Sequence, residues 1–135
     1  MQVWKRVRIT AEGKSSEVGA LFDTGSSFTT MGYNEFKEFF SEVQIKELTK
    51  PREATLLNGQ KITITGFIDS GILVNDYLIE ERVYLSKDIV KEAMVGGIKV
   101  YLPDIVIGHT TMENWGIELD LKKGDVVIRG GGFVL

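Results

Sequence analysis

The stretch Leu21-Phe22-Asp23-Thr24-Gly25-Ser26-Ser27 carries more information about this protein than any other part of its sequence. Two apolar residues bring a carboxylate to the end of a predicted buried strand, and Gly25 then lets the chain turn sharply. An acid placed there has little access to bulk water, so its charge needs the hydroxyl and amide donors of the turn. On spacing alone, a strand-ending turn in which Asp23 makes only an Asx-turn explains the stretch equally well.

Length and charge limit what the rest of the chain can do. The 135 residues are enough for one domain, expected to span residues 1–135, and too few for two lobes of ordinary size. The formal net charge of −3 gives no indication of nucleic-acid or membrane partners. We find no membrane-spanning apolar run and no signal-peptide core, and we expect a cytoplasmic protein.

The residue types present favour carboxylate chemistry. The sequence has no Cys and one His, His109. This composition excludes disulfides, thiolate chemistry and Cys-based metal sites, and it argues against zinc or serine-hydrolase sites, which usually need imidazole. We therefore expect no metal and no cofactor. Asp and Glu, by contrast, number 19, so acids are the groups left for catalysis.

Apolar periodicity predicts a mainly β domain. Alternating apolar residues predict strands over residues 3–10, 17–23, 62–68, 77–86, 98–102 and 117–121. Helical spacing predicts short helices over residues 33–41, 89–94 and 110–116. Gly96-Gly97 is interpreted as the stop of the second helix. Thr110 and Glu113 form a predicted capping box at the start of the third.

Two separate motifs resemble those of the retropepsin-like aspartic proteases. The residues Leu21 to Ser26 resemble the active-site signature, and Ile105-Val106-Ile107-Gly108 resembles the segment that these enzymes place beneath the catalytic loop. The helix and hairpin that follow are similar to those of the retropepsin-like domain of ubiquitin-shuttle proteins. The resemblance covers about residues 3–128, and a single copy of the signature is typical of retropepsin-like enzymes rather than of two-lobed pepsins.

The resemblance implies the fold and the place of the substrate. We expect a mainly β fold, a single-lobe acid-protease β-barrel, closed or partly open, with two or three short helices and a flap hairpin. The flap would cover residues 53–66, and its substrate-binding tip would consist of Leu57, Asn58, Gly59 and Gln60. This tip has neither the Tyr of pepsins nor the Gly-rich sequence of retroviral enzymes. The connection over residues 83–102 is also longer than in compact retroviral proteases.

One signature per chain implies a homodimer. Peptide hydrolysis of this kind uses two carboxylates that share a proton and a water, and Asp23 supplies one of them. Two Asp23 side chains would meet about a two-fold axis, titrate in two steps and act on the acid side of neutrality. The resemblance also implies supporting roles for the neighbouring residues. Thr24 would brace the two loops across the axis, Gly25 would allow the substrate to approach closely, and Ser26 would hydrogen-bond the outer carboxylate oxygen. Ile107 and Gly108 would support the loop from beneath.

Several other residues could be interpreted as functional, but a structural role explains each of them more simply. Phe67-Ile68-Asp69-Ser70-Gly71 repeats the apolar-apolar-Asp pattern, but no second apolar-Gly segment accompanies it, so we expect Asp69 to face solvent near a turn. We expect Asp104 to cap a loop and His109 to be structural. Gly130-Gly131-Gly132 is interpreted as a joint before an apolar chain end, residues 133–135, that is a candidate dimer interface.

The main prediction is thus an aspartic endopeptidase, active as a homodimer on peptide or protein substrates, without nucleic-acid or membrane partners. A catalytically silent module that binds extended peptides or serves as a dimerisation scaffold is the alternative, because a domain can keep its fold without its chemistry. A carboxylate-pair glycosidase would need two acids from one chain. No second acid shares the context of Asp23.

Overall fold

The protein is built mainly from β-strands. A computed structural model describes residues 1–55, 61–89 and 92–129. The strands within these ranges are β1 (Gln2–Ala11), β2 (Lys14–Asp23), β3 (Thr30–Gly32), β4 (Lys46–Thr55), β5 (Lys61–Val74), β6 (Tyr77–Ser86), β7 (Glu92–Val95), β8 (Ile98–Tyr101), β9 (Ile105–Ile107), β10 (Ile117–Asp120) and β11 (Asp125–Ile128). The helices are α1 (Tyr33–Phe40) and α2 (His109–Trp115).

Six of the strands close into a barrel. Their order is β1-β2-β9-β3-β6-β5, and β5 pairs back onto β1, with Ile9 opposite Ile72. Strand β4 adds to β5 outside the barrel, while β7 with β8 and β10 with β11 form separate two-stranded hairpins. The mainly β barrel expected from the sequence is confirmed.

Branched apolar side chains fill the barrel. Alternate residues of β1, β5 and β6 point inward, and Ile9, Ile72 and Val83 have no exposed surface. Each side chain of this size contributes about 1.5–3 kcal/mol when it is fully buried. The alternation that predicted these strands therefore identifies the residues that stabilise the barrel.

The short strand β9 determines where the candidate site lies. It runs parallel to β2 and antiparallel to β3, so it is paired on both edges. Ile107 lies opposite Phe22, and both side chains are fully buried. Because the two strands run in the same direction, the next residue of each, Gly108 and Asp23, reaches the same edge of the sheet.

The predicted helices at residues 33–41 and 110–116 are confirmed, but the predicted capping box is wrong. The N-cap of α2 is Gly108, and no side chain caps the helix. Thr110 lies inside the first turn, so its hydroxyl is not at the cap position. The helix ends as predicted at Gly116, which adopts the left-handed conformation at φ 62°.

The helix predicted over residues 89–94 is also wrong. Glu92–Val95 forms strand β7, which pairs with β8 from Glu92 opposite Tyr101 to Val95 opposite Ile98. Gly96 and Gly97 have φ values of 58° and 79°, and a two-residue hairpin turn of type I′ requires positive φ at both positions. The glycine pair that suggested a helix stop is a hairpin turn.

Two predicted features lie outside the described residues. They are the flap tip, Leu57, Asn58, Gly59 and Gln60, and the chain end at residues 130–135. The strands on either side of the tip pair with each other, and the pair nearest to it is Thr55 with Lys61. Among the described helices, none combines the length and the apolar character that a bilayer crossing requires.

Candidate active site

Asp23 is the last residue of β2 and is almost completely buried. Its exposed fraction is 1%, because the strand that carries it is covered by β1 on one edge and β9 on the other. Burying a carboxylate without hydrogen-bond donors would cost several kcal/mol. The loop that follows, residues 24–29, supplies such donors.

Both carboxylate oxygens of Asp23 accept a hydrogen bond from this loop. The amide of Gly25 donates to Oδ1 at 2.8 Å, and the hydroxyl of Ser26 donates to Oδ2 at 3.4 Å. The first bond is the Asx-turn itself and is expected with or without catalysis. The near-complete burial and the second donor go beyond what an Asx-turn needs.

The start of α2 holds the loop from the opposite side. The amide of His109 donates to the carbonyl oxygen of Ser26 at 2.6 Å, and the amide of Thr110 donates to that of Ser27 at 3.1 Å. Amides in the first turn of a helix have no partner within their own helix. The loop provides those partners, which explains how α2 begins without a side-chain cap.

Gly108 and two threonines complete the support of the loop. A Cβ on Gly108 would lie 2.5 Å from the carbonyl oxygen of Phe28, so only glycine fits. The Gly108 amide donates to Oγ1 of Thr29 at 3.2 Å, and that hydroxyl lies 2.6 Å from Oγ1 of Thr111. Both threonines are 2% exposed. Neither Thr29 nor Thr111 was predicted as a site residue from the sequence. The one indication of such a role is that each lies three residues after a motif, Thr29 after Ser26 and Thr111 after Gly108.

Thr24 connects the loop to the beginning of β1. The amino group of Met1 donates to Oγ1 of Thr24 at 3.2 Å, and the Thr24 amide donates to the Met1 carbonyl at 3.2 Å. Thr24 is half-buried rather than enclosed. Its bracing role across a two-fold axis stays a prediction.

A cavity of about 620 Å³ opens beside the loop. It lies between the loop, the end of β4 and the beginning of β5, and its lining includes Gly25, Ser26, Phe28, Glu53 and Lys61. Asp23 is not part of the lining, whereas the two residues whose groups donate to its carboxylate, Gly25 and Ser26, are. A cleft of this size accommodates several side chains of an extended peptide.

Asp69, Asp104 and His109 do not join Asp23. Asp69 faces solvent as predicted, but in the middle of β5, where its Oδ2 pairs with Lys46 Nζ at 2.5 Å. Asp104 Oδ2 accepts a bond from the Gly19 amide at 2.8 Å, which anchors a loop as expected. The His109 side chain is 53% exposed. Within the described ranges, no three His, Asp or Glu side chains are grouped to hold a metal ion.

Two solved structures are similar to this chain along most of its length. The retroviral protease-like domain of Ddi1 from Leishmania major covers 96% of this chain, which covers 89% of that domain, with a TM-score of 0.63 and 17% identity. EIAV protease complexed with the inhibitor HBY-793 covers 89% of this chain, which covers 93% of that protease, with a TM-score of 0.59 and 12% identity. No family model and no curated protein sequence matches the chain. The protein has a retropepsin-like fold.

Proposed function

We propose that the protein is an aspartic endopeptidase that acts as a homodimer, with one Asp23 from each chain forming the catalytic pair. The observation that carries this proposal is the Asp23 carboxylate, which is 1% exposed and receives donors from Gly25 and Ser26 beside a cleft. A loop that only reversed the chain direction would not need to keep an ionisable group out of water.

The chemistry needs two carboxylates at hydrogen-bond distance. Like-charge repulsion keeps one of them protonated, so the pair shares a proton. The ionised carboxylate takes a proton from the attacking water, whose oxygen bonds to the peptide carbonyl carbon. The protonated carboxylate donates a hydrogen bond to the carbonyl oxygen. This second carboxyl then gives its proton to the leaving nitrogen, and the carbon–nitrogen bond breaks as the carbonyl re-forms, which releases an amine and a carboxylic acid. One chain supplies one Asp23, so a single chain holds half of the pair.

The surrounding residues have supporting roles in this proposal. Gly25 and Ser26 orient each carboxylate, while Ile107 and Gly108 carry the loop from beneath. Thr24 braces the two loops against each other across the two-fold axis. The flap tip, Leu57, Asn58, Gly59 and Gln60, closes over an extended peptide or protein segment, which pairs main chain to main chain as an added strand. No cofactor is required.

The proposal is tested by incubating the purified protein with a diverse peptide mixture from about pH 3 to 7, beside Asp23→Asn and Asp69→Asn variants. We expect the wild type and Asp69→Asn to cleave and Asp23→Asn to be inactive, because an amide cannot transfer the proton. Asp69 is the matched control, since it is an exposed acid in a similar sequence stretch. Cleavage that persists in Asp23→Asn would sink the assignment.

Sedimentation completes the test. We expect the cleaving species to be a dimer, and a strictly monomeric species that cleaves would contradict the shared pair. A dimeric wild type that binds extended peptides without cutting them would identify the protein as the silent peptide-binding module instead.

A further inference from the structure

Arg52 lies over the ring of Phe28 at the edge of the cleft. Its guanidinium carbon is 5.6 Å from the ring centroid. The Phe28 ring lines the cleft and is itself held edge-to-face against Tyr84, with centroids 5.6 Å apart. At this distance the face of the ring attracts the charge of Arg52, which favours a position of the guanidinium beside the cleft.

The course of β4 brings Arg52 to this position. The pairing of β4 with β5 shifts register between Glu47 and Arg52. Beyond the shift, Arg52 lies opposite Ile64 and Ala54 lies opposite Ile62. Side chains on one strand alternate between faces, so Arg52 shares the face of these residues. Both isoleucines are at most 2% exposed, whereas the longer Arg52 side chain is exposed at the rim of the cleft.

The charge of Arg52 has no acidic partner within the part of the chain that the structure describes. Glu53 and Lys61 line the cleft with one charge of each sign, and Arg52 adds a positive charge at its rim. A cation–π contact uses the charge of the guanidinium and leaves its N–H groups available as hydrogen-bond donors. Those donors match a carboxylate, which can accept two of them at once.

We propose that Arg52, held by Phe28, forms a subsite for a carboxylate side chain of the peptide in the cleft, so that the protein prefers substrates with Asp or Glu at one position near the cleaved bond. This inference rests on the proposed peptidase function. The catalytic residues do not determine which peptides are preferred, and Arg52 would make acidic peptides the preferred substrate class.

The experiment uses peptides that differ at one position at a time, with Glu, Gln or Lys placed at each of several positions around one cleavage site. We expect kcat/KM for the Glu peptide to exceed that for its Gln counterpart roughly tenfold at a single position, as a charge-assisted hydrogen bond provides. The preference should fade below about pH 4, where the peptide Glu is protonated.

Variants assign the preference to Arg52. We expect Arg52→Gln to bring the Glu-to-Gln ratio of kcat/KM close to one. Arg52→Lys should keep part of the preference. Lys50→Gln, which removes another exposed cation of β4, should leave it intact. A preference that survives Arg52→Gln, or a wild type with no acidic preference, would overturn the inference.

A binding measurement separates this inference from the proposed function. If the wild type cleaves none of the peptides, the peptidase proposal fails, and fluorescence anisotropy of the same labelled peptides still tests the subsite. Tighter binding of the Glu peptide that Arg52→Gln abolishes would support it. Equal binding of Glu and Gln peptides by the wild type would overturn it.

Discussion

Gly108 lies against the backbone of Phe28 with no space for a side chain. A Cβ on Gly108 would be 2.5 Å from the Phe28 carbonyl oxygen and 2.8 Å from its nitrogen. These neighbours are main-chain atoms and cannot turn aside as the end of a flexible side chain can. The N-cap residue of α2 therefore lies directly against the loop that follows Asp23.

We expect Gly108→Ala to destabilise the protein by about 1–3 kcal/mol, the usual cost of overpacking. The proposed peptidase activity should fall by more than the unfolded fraction of the variant accounts for. The added methyl group must displace Phe28 and, with it, the loop that orients Asp23. Denaturant unfolding and kcat measured below the unfolding transition check this. Gly19→Ala is the control, because its Cβ would lie 3.5 Å from the Asp104 carboxylate, an ordinary van der Waals contact. Equal behaviour of the two variants would contradict the expectation.

We expect Thr29→Val to cost about 1–3 kcal/mol of stability, because it leaves the buried Gly108 amide and the Thr111 hydroxyl without their shared partner. Adding Thr111→Val should cost less than the sum of the two single changes, since both remove the same bond. Thr65→Val, an isosteric change at an exposed position of β5, should stay within about 0.5 kcal/mol. Additive effects at residues 29 and 111 would show that the two hydroxyls act independently.

Several strands and the turn after Asp23 could be predicted because their signals are local, whereas the barrel was implied by the family resemblance. Alternation of apolar residues predicted β1 and β5, and the residues around Asp23 contain both the strand end and the turn. The resemblance of Ile105 to Gly108 implied that this segment lies beneath the loop, and the structure places Gly108 against the backbone of Phe28.

Contacts between distant residues could not be predicted in the same way. Thr29 and Thr111 are 82 residues apart in sequence, and the residues next to each of them do not indicate a contact with the other. The cap of α2 was misjudged because its amides bond to the loop instead of to a side chain. The hairpin at residues 92–101 was misjudged because Gly-Gly ends a helix or turns a hairpin equally well, and only pairing with β8 decides between them.

A surface ion pair gives a pH dependence of stability. Lys5 Nζ lies 2.8 Å from Asp125 Oδ1 and joins β1 to β11. The hydrogen bond from Lys5, together with one from the Val126 amide, lowers the pKa of Asp125 below its ordinary value. The folded state therefore gains stability from this carboxylate above the ordinary pKa and loses it as the pH falls through the lowered value.

We expect Asp125→Asn to lower Tm by only about 2 °C near pH 7, because an exposed pair is well screened. The difference between the wild type and the variant should shrink as the pH falls toward 2, since the wild-type carboxylate takes up a proton as the pH passes its lowered pKa. Thermal unfolding at both pH values measures the difference. A difference in Tm between wild type and variant that is larger at pH 2 than at pH 7 would contradict a stabilising role of the ionised Asp125 carboxylate.

The central claim, that two chains share one pair of Asp23 side chains, is tested most directly by mixing. Wild-type chain at constant concentration is refolded with increasing amounts of the Asp23→Asn chain, and peptide cleavage is measured. If the site is shared, mixed dimers are inactive, and we expect activity to fall to about half at equal amounts of the two chains. Activity that stays constant as the variant is added would mean that each chain carries a complete site, and would contradict the claim.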